Sequence, residues 1–246
     1  MRYLILSDIH SNGEALRAVL DRAGGLYDKV LCLGDVVGYG ADPNVVADWV
    51  RAHAWLTVRG NHDRACTGLD DLEWFNPAAR QSALWTQSAL SSENMDWLRA
   101  LTCGPLSIDR FQIMHGSPLD EDEYIINTSD VAPLSGFLDA RISFFGHTHL
   151  QGGFILRQHR IERINSVPLG KQELHLDLRG EDFYLINPGA VGQPRDGDPR
   201  AACAIFTPEE NRVVYYRIPY DIGAAQQKII DAGLPGMLAV RLLVGR

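Results

Sequence analysis

The chain has 246 residues, 46% of them hydrophobic and 22% charged, which suits a globular protein with a real core. Its 23 basic and 31 acidic residues give a formal net charge of −8, which argues against a broad nucleic-acid-binding surface though not against a local contact. No uncharged stretch is long enough to cross a bilayer, and the opening Met1-Arg2-Tyr3-Leu4-Ile5-Leu6-Ser7-Asp8 is too short an apolar run for a signal peptide.

Arg2 to Ser7 is rich in β-formers and leads into Asp8-Ile9-His10-Ser11-Asn12-Gly13. Residues two apart on extended backbone point the same way, so Asp8 and His10 can aim at one point. Glu14 to Arg22 has helical spacing and stops at Gly24-Gly25. Lys29 to Leu33 reads as a buried strand ending in Gly34-Asp35, with Cys32 as a core thiol. Asp42-Pro43 is an N-cap followed by proline at the first helical position. Trp55 to Val58 is a short apolar run, expected as a buried strand before Gly60-Asn61-His62-Asp63.

Asn76-Pro77 repeats the cap signature, and Ser91 starts a further helix. Strands are expected around Leu106–Ile108 and Phe111–Met114, the second running into His115-Gly116. Asp120 to Glu123 reads as a solvated acidic loop. Ser129 or Asp130 caps a helix reaching Leu138, and Ile142 to Phe145 is a strand before Gly146-His147-Thr148-His149. The last hundred residues alternate as antiparallel strands, near 154–156, 174–178, 183–186, 202–206 and 213–218. Helix returns from Ile222 to Ala232 and, after Gly233-Leu234-Pro235, continues to Leu243. With no repeat and no linker, residues 1–246 read as one domain, its two sheets packed together with helices outside.

The chemistry lies at five strand ends: Asp8/His10, Asp35, Asn61/His62, His115 and His147/His149. Five of the eight histidines fall there, whereas His53, His159 and His175 do not. Any one of these residues alone reads as structural; five polar strand ends together do not. Mixed nitrogen and oxygen donors suit Mn, Fe, Zn, Co or Ni rather than Ca or Mg alone. Seven donors are too many for one tetrahedral ion and fit two ions sharing a carboxylate. A bound metal also gives an acidic chain local positive charge for an anion. Cys32, Cys66, Cys103 and Cys203 form no C-x-x-C pair, as expected for a reducing cytoplasm.

The motifs Asp8-Ile9-His10, Gly34-Asp35, Gly60-Asn61-His62-Asp63, His115-Gly116 and Gly146-His147-Thr148-His149 resemble, in order, those of the calcineurin-like metallophosphoesterases. Asn187-Pro188-Gly189 resembles the following turn in small bacterial members of the YfcE-like phosphodiesterase type. The resemblance implies an α/β fold, a four-layer α/β/β/α sandwich of two mixed sheets flanked by helices, around a centre of two divalent transition-metal ions. It implies Asp8, His10 and His149 as ligands of one ion, Asn61, His115 and His147 as ligands of the other, and Asp35 as the bridge. It also implies a phosphoester hydrolysed by a metal-bridging hydroxide, with His62 as general acid steadied by Asp63. Arg64 and Arg195 are candidate substrate contacts. Serine/threonine protein phosphatases continue their second motif into Asp-Arg-Gly, where this chain has Gly38-Tyr39-Gly40. Their third ends in glutamate, where this chain has Asp63. A phosphodiester, including one derived from a nucleotide, is therefore the expected substrate. The alternative is a non-catalytic protein-binding scaffold on the same fold, like the retromer subunit that resembles these enzymes.

Overall fold

Every second residue of the first strand, β1 (Tyr3–Leu6), faces a different core. Leu4 and Leu6 meet Leu16, Val19 and Val46 on the helical side, while Tyr3 and Ile5 meet Phe111, Ile113 and Phe144 from a second sheet. That alternation follows from the two-residue period of a strand. Each fully buried leucine or isoleucine contributes ~1.5–3 kcal/mol relative to an exposed one. The computed structural model describes residues 1–158 and 160–246, so His159 lies outside the described residues.

After β1 the chain runs through α1 (Gly13–Ala23), β2 (Lys29–Cys32), α2 (Pro43–His53), β3 (Ala54–Thr57), α3 (Asn61–Cys66), α4 (Pro77–Ala89) and α5 (Ser92–Arg99). It continues with β4 (Leu106–Ile108), β5 (Phe111–Ile113), α6 (Thr128–Val131) and β6 (Ile142–Phe144). Six strands follow: β7 (Gly152–Arg157), β8 (Arg160–Ile164), β9 (Glu173–Asp177), β10 (Phe183–Asn187), β11 (Ala201–Thr207) and β12 (Arg212–Ile218). The chain closes on α7 (Ile222–Asp231) and α8 (Gly236–Val244).

The strands form two mixed sheets of six, ordered β3-β2-β1-β11-β12-β9 and β4-β5-β6-β10-β7-β8. Helices α1, α2, α3 and α5 cover the outer face of the first. Val131 and Leu134 cover the outer face of the second over Phe145, Phe154 and Leu185. The result is a four-layer α/β/β/α sandwich.

Helix starts follow the expected chemistry. The Asn12, Asn76, Ser91 and Asp221 side chains each accept a hydrogen bond from a first-turn amide. Asp42 precedes Pro43 as expected, but its carboxylate binds Lys228 at 2.6 Å instead of capping α2.

Four expectations need correction. β3 is an edge strand, so Trp55 is 44% exposed and only Val58 beyond it is fully buried. The helix expected up to Leu138 is one α-turn and then a 3₁₀ stretch, Ala132–Phe137, where Pro133 offers no amide. Its N-cap is Asn127, and Asp130 instead accepts from the Ile126 and Asn127 amides. The acidic loop is not merely solvated, because Glu121 is buried between Arg59 and Arg64.

Candidate metal centre

The loops after β1, β2, β3, β5 and β6 meet at one end of the sandwich and are stitched by main-chain hydrogen bonds. The Asp8 amide donates to Gly34, His10 to Asp35, and Gly146 to His115, at 2.8–3.1 Å. Asp8, His10, Asp35, His147 and His149 all have left-handed backbone, with φ of 48–63°. Non-glycine residues rarely adopt it, and each such residue costs ~1–3 kcal/mol, held in place by its surroundings. Gly60 is required for a different reason: a Cβ there would strike the Asp35 amide and carboxylate.

Asp8, His10, Asp35 and His149 bring donor atoms within 4.8 Å of one another, and Asp35, His115 and His147 do the same. Asp35 belongs to both groups, with Oδ2 at 3.4 Å from His10 Nε2 and 3.5 Å from His115 Nε2. Asn61 Oδ1 lies 3.3 Å from His115 Nε2. The seven nominated donors are thus brought together.

Main-chain carbonyls fix the rings. His10 Nδ1 lies 3.1 Å from Val37 O, His115 Nδ1 2.7 Å from Leu33 O, and His149 Nδ1 2.5 Å from Gln193 O. If each Nδ1 carries the proton, each Nε2 is left as a bare donor to the centre. His147 differs, since its Nε2 lies 3.0 Å from Asp122 O and Nδ1 is the nitrogen left over.

The fit to a cation rests on what these groups lack. Asp8 Oδ2 and Asp35 Oδ2 are buried with no hydrogen-bond partner among the described residues. His10 Nε2 and His149 Nε2 face each other at 3.1 Å. Buried acceptors with no donor are costly, and a divalent ion satisfies all of them at once.

Charge is compensated locally. Burial drives the Asp35 carboxyl upward, but the surrounding imidazoles, His115 foremost, outweigh it and hold it well below the usual range. Burial lowers His115, yet the nearby Asp35 and Asp8 carboxylates bring it up to about 10. His147, dominated by burial, falls to about 3.

His62 is buried against Tyr39 and His10, with ring centroids at 4.3 and 4.8 Å. Its amide donates to Asp35 Oδ1 at 2.8 Å, while its Nδ1 has no partner among the described residues. Burial lowers its pKa to about 4, so the free protein carries it neutral. Asp63 does not steady this ring. Its carboxylate accepts the amides of Asp35, Val36, Val37 and Gly60 at 2.8–3.2 Å, which commits both oxygens to the loop.

The two nominated arginines differ. Arg64 is consumed by Asp70, Glu121 and Asp122, so its charge is already met. Arg195 has no carboxylate partner among the described residues; its Nη2 lies 3.4 Å from the Tyr39 hydroxyl. Sequence reasoning missed Tyr39, Phe75 and Tyr124, which with Trp74, Arg64 and His62 line a cleft of about 380 Å³ beside the centre. The signal was faint: Tyr39 falls in Gly38-Tyr39-Gly40, the stretch where the motif departs from the Asp-Arg-Gly of the protein phosphatases. His53 and His175 lie away from the centre, both exposed.

Residues 1–211 match the calcineurin-like phosphoesterase superfamily domain. The chain is 36% identical over 253 aligned positions to an uncharacterised protein of Methanocaldococcus jannaschii, covering 98% of this chain and 97% of that one. It is similar to the crystal structure of a metallophosphoesterase from Sphaerobacter thermophilus, with 40% identity, a TM-score of 0.87 and 100% and 99% of the two chains covered. A hypothetical protein from Pyrococcus horikoshii shares the fold at 19% identity, with a TM-score of 0.79 and 100% and 98% coverage. None of the described helices is long and apolar enough to cross a membrane.

Proposed function

The chain belongs to the calcineurin-like phosphoesterase superfamily, and on that premise we propose that it is a metal-dependent phosphodiesterase of the cytoplasm. The observation that carries this is the pair of orphaned carboxylate oxygens, on Asp8 and Asp35, in a cluster of imidazoles whose far nitrogens are held by carbonyls. Asp8, His10 and His149 would hold one divalent ion, Asn61, His115 and His147 the other, and Asp35 would touch both. Such ions, drawn from Mn, Fe, Zn, Co or Ni, supply Lewis acidity and lower the pKa of water when bound.

The chain's own groups do the rest. His62 presents its ring to the cleft and hydrogen-bonds the leaving oxygen. Negative charge on the phosphoryl group lifts its pKa from the low value of the free protein, which lets it pass on a proton. Asn61 adds an oxygen donor without negative charge, keeping the site attractive to an anion. The aromatic cleft walls, Tyr39, Phe75 and Tyr124, suit an ester with a planar group, and nucleotide-derived diesters have one. Gly38-Tyr39-Gly40 in place of Asp-Arg-Gly supports a small diester over a phosphoprotein.

Chelation should abolish hydrolysis of bis(4-nitrophenyl) phosphate by the purified chain, and Mn should restore it with about two ions per chain by elemental analysis. Full turnover in rigorously metal-free protein would overturn the reading.

A further inference from the structure

Most cations near the cleft are already spoken for. Arg59 pairs with Glu121 at 2.7 Å, Arg64 with three carboxylates, and Lys228 with Glu14 and Asp42 at 2.6 Å each. Arg195 and Arg241 break this pattern: among the described residues, no Asp or Glu carboxylate lies within 4.0 Å of either. Arg241 stands on α8, beyond residues 1–211 matched by the family.

Both guanidiniums converge on one neutral group. Their Cζ atoms lie 5.7 Å (Arg195) and 5.8 Å (Arg241) from the centroid of the Tyr39 ring. Arg195 Nη2 reaches the Tyr39 hydroxyl at 3.4 Å and Gln193 Oε1 at 3.2 Å, while its buried Nε has no partner among the described residues. Arg241 donates its Nε to a carboxyl oxygen of the last residue, Arg246, at 2.6 Å, which leaves the outer nitrogens of the fork without an Asp or Glu partner among the described residues. Two like charges beside one phenol repel each other unless an anion joins them. Burial and the Arg195 charge accordingly lower the Arg241 pKa.

Tyr39 ties this pair to the centre. It is buried, left-handed at φ 60°, and its ring lies 4.6 Å from that of His10. Arg195 comes from the loop between β10 and β11, which is tied to the loop of His147 and His149: its amide donates to His149 O at 3.2 Å. Arg241 sits on the separate C-terminal helix. The cations therefore extend from the centre through Arg195 to Arg241.

We propose that Arg195 and Arg241 form a second oxyanion subsite, which takes a phosphoryl group of the substrate joined to the one bound at the metal centre. This rests on the phosphoesterase reading of that centre. A phosphoryl group has oxygens enough for both planar forks, and guanidinium is shaped for such paired contacts. The substrate class is then one with two consecutive phosphoryl groups rather than an isolated diester.

The test compares ADP with AMP on the full chain loaded with Mn, by calorimetry and by competition against bis(4-nitrophenyl) phosphate. ADP should bind about tenfold tighter than AMP or better, as charge-assisted hydrogen bonds imply. Arg241→Gln should bring that ratio to within about threefold, and Arg241→Lys should recover part of it. A purely structural role for Arg241 would shift both nucleotides alike. Arg195→Gln gives the same ratio test from a loop, should Arg241→Gln not fold. A wild-type ratio near one, or one that survives both substitutions, overturns the proposal. So does inorganic phosphate binding as tightly as ADP, which would make this a site for free anion. An intact ADP preference without any ester hydrolysis would overturn the phosphoesterase reading and leave the subsite standing.

Discussion

His62 differs from the histidines around it because no carbonyl among the described residues holds its Nδ1. His10, His115 and His149 are each locked by one, as ligands need to be. An unlocked ring facing the cleft suits a group that acts on substrate. A positioned acid contributes ~10²–10⁴-fold, chiefly when the leaving group must take up a proton. His62→Asn should therefore keep the metal content but lose most activity on an alkyl phosphoester and much less on a nitrophenyl one. The kcat ratio for the two substrates, measured with metal content, checks this; an equal loss would assign His62 to charge stabilisation. At this scale the sequence was informative about which residues meet, because polar side chains at strand ends have few other reasons to be there. It said little about what each one touches. Asp63 sits next to His62 in the chain, yet a helix start turns its carboxylate back toward the preceding loop.

That turn makes α3 an organising element. Asp63 is its third residue and accepts four amides, from Gly60 and from the Asp35–Val37 stretch, so one carboxylate clamps two ligand loops together. Asp63→Ala leaves those buried amides without an acceptor and should cost on the order of 3 kcal/mol in urea unfolding, with Asp63→Asn between. The activity that survives should fall equally on alkyl and nitrophenyl esters; a loss confined to the alkyl ester would restore the pairing with His62. Elements with caps and periodic apolar faces were legible, as α1, α4, α5 and α7 show. β8 was not, because Arg160, Glu162 and Arg163 leave only two apolar residues in five. Its strand character comes from pairing with β7, a tertiary effect that local pattern does not carry. Arg241 was invisible for a related reason: a basic residue in a helical last turn already has a local explanation.

Across the whole molecule, a buried arginine helps join the two sheets. Arg217 of β12 contacts Gln151 Oε1 at 3.0 Å just before β7, and it pairs with Asp196 in the loop that carries Arg195. Asp198 lies 4.0 Å from Arg217 and binds Arg200. Burial raises the Asp198 carboxyl, but hydrogen bonds from Arg200 and the Arg217 charge bring it below its ordinary value. A lowered folded-state pKa means stability that is present above the unfolded value near 3.8 and lost as pH falls through the folded one. Asp198→Asn should thus cost about 1–3 kcal/mol at pH 7 and progressively less below pH 4. Urea unfolding of both proteins at each pH checks this; a constant difference would mean that the charge is irrelevant.

The two sheets also meet at the donor cluster. Asp8, Asp35 and Asn61 hang from the first, and His115, His147 and His149 from the second. An ion gripped by both acts as a reversible cross-link between segments far apart in sequence, as a disulfide does across a long loop. Binding adds ~2.7 kcal/mol when the free ion stands at a hundred times its dissociation constant. Chelation should lower the melting temperature and speed amide exchange at the ends of β1, β2, β5 and β6 together, with the outer β8–β7 hairpin less affected. Unchanged exchange at those ends would show the sandwich closed without its ion. If the cross-link holds, starving this protein of metal does more than silence it: it opens the molecule at its working end and exposes the chain to proteolysis.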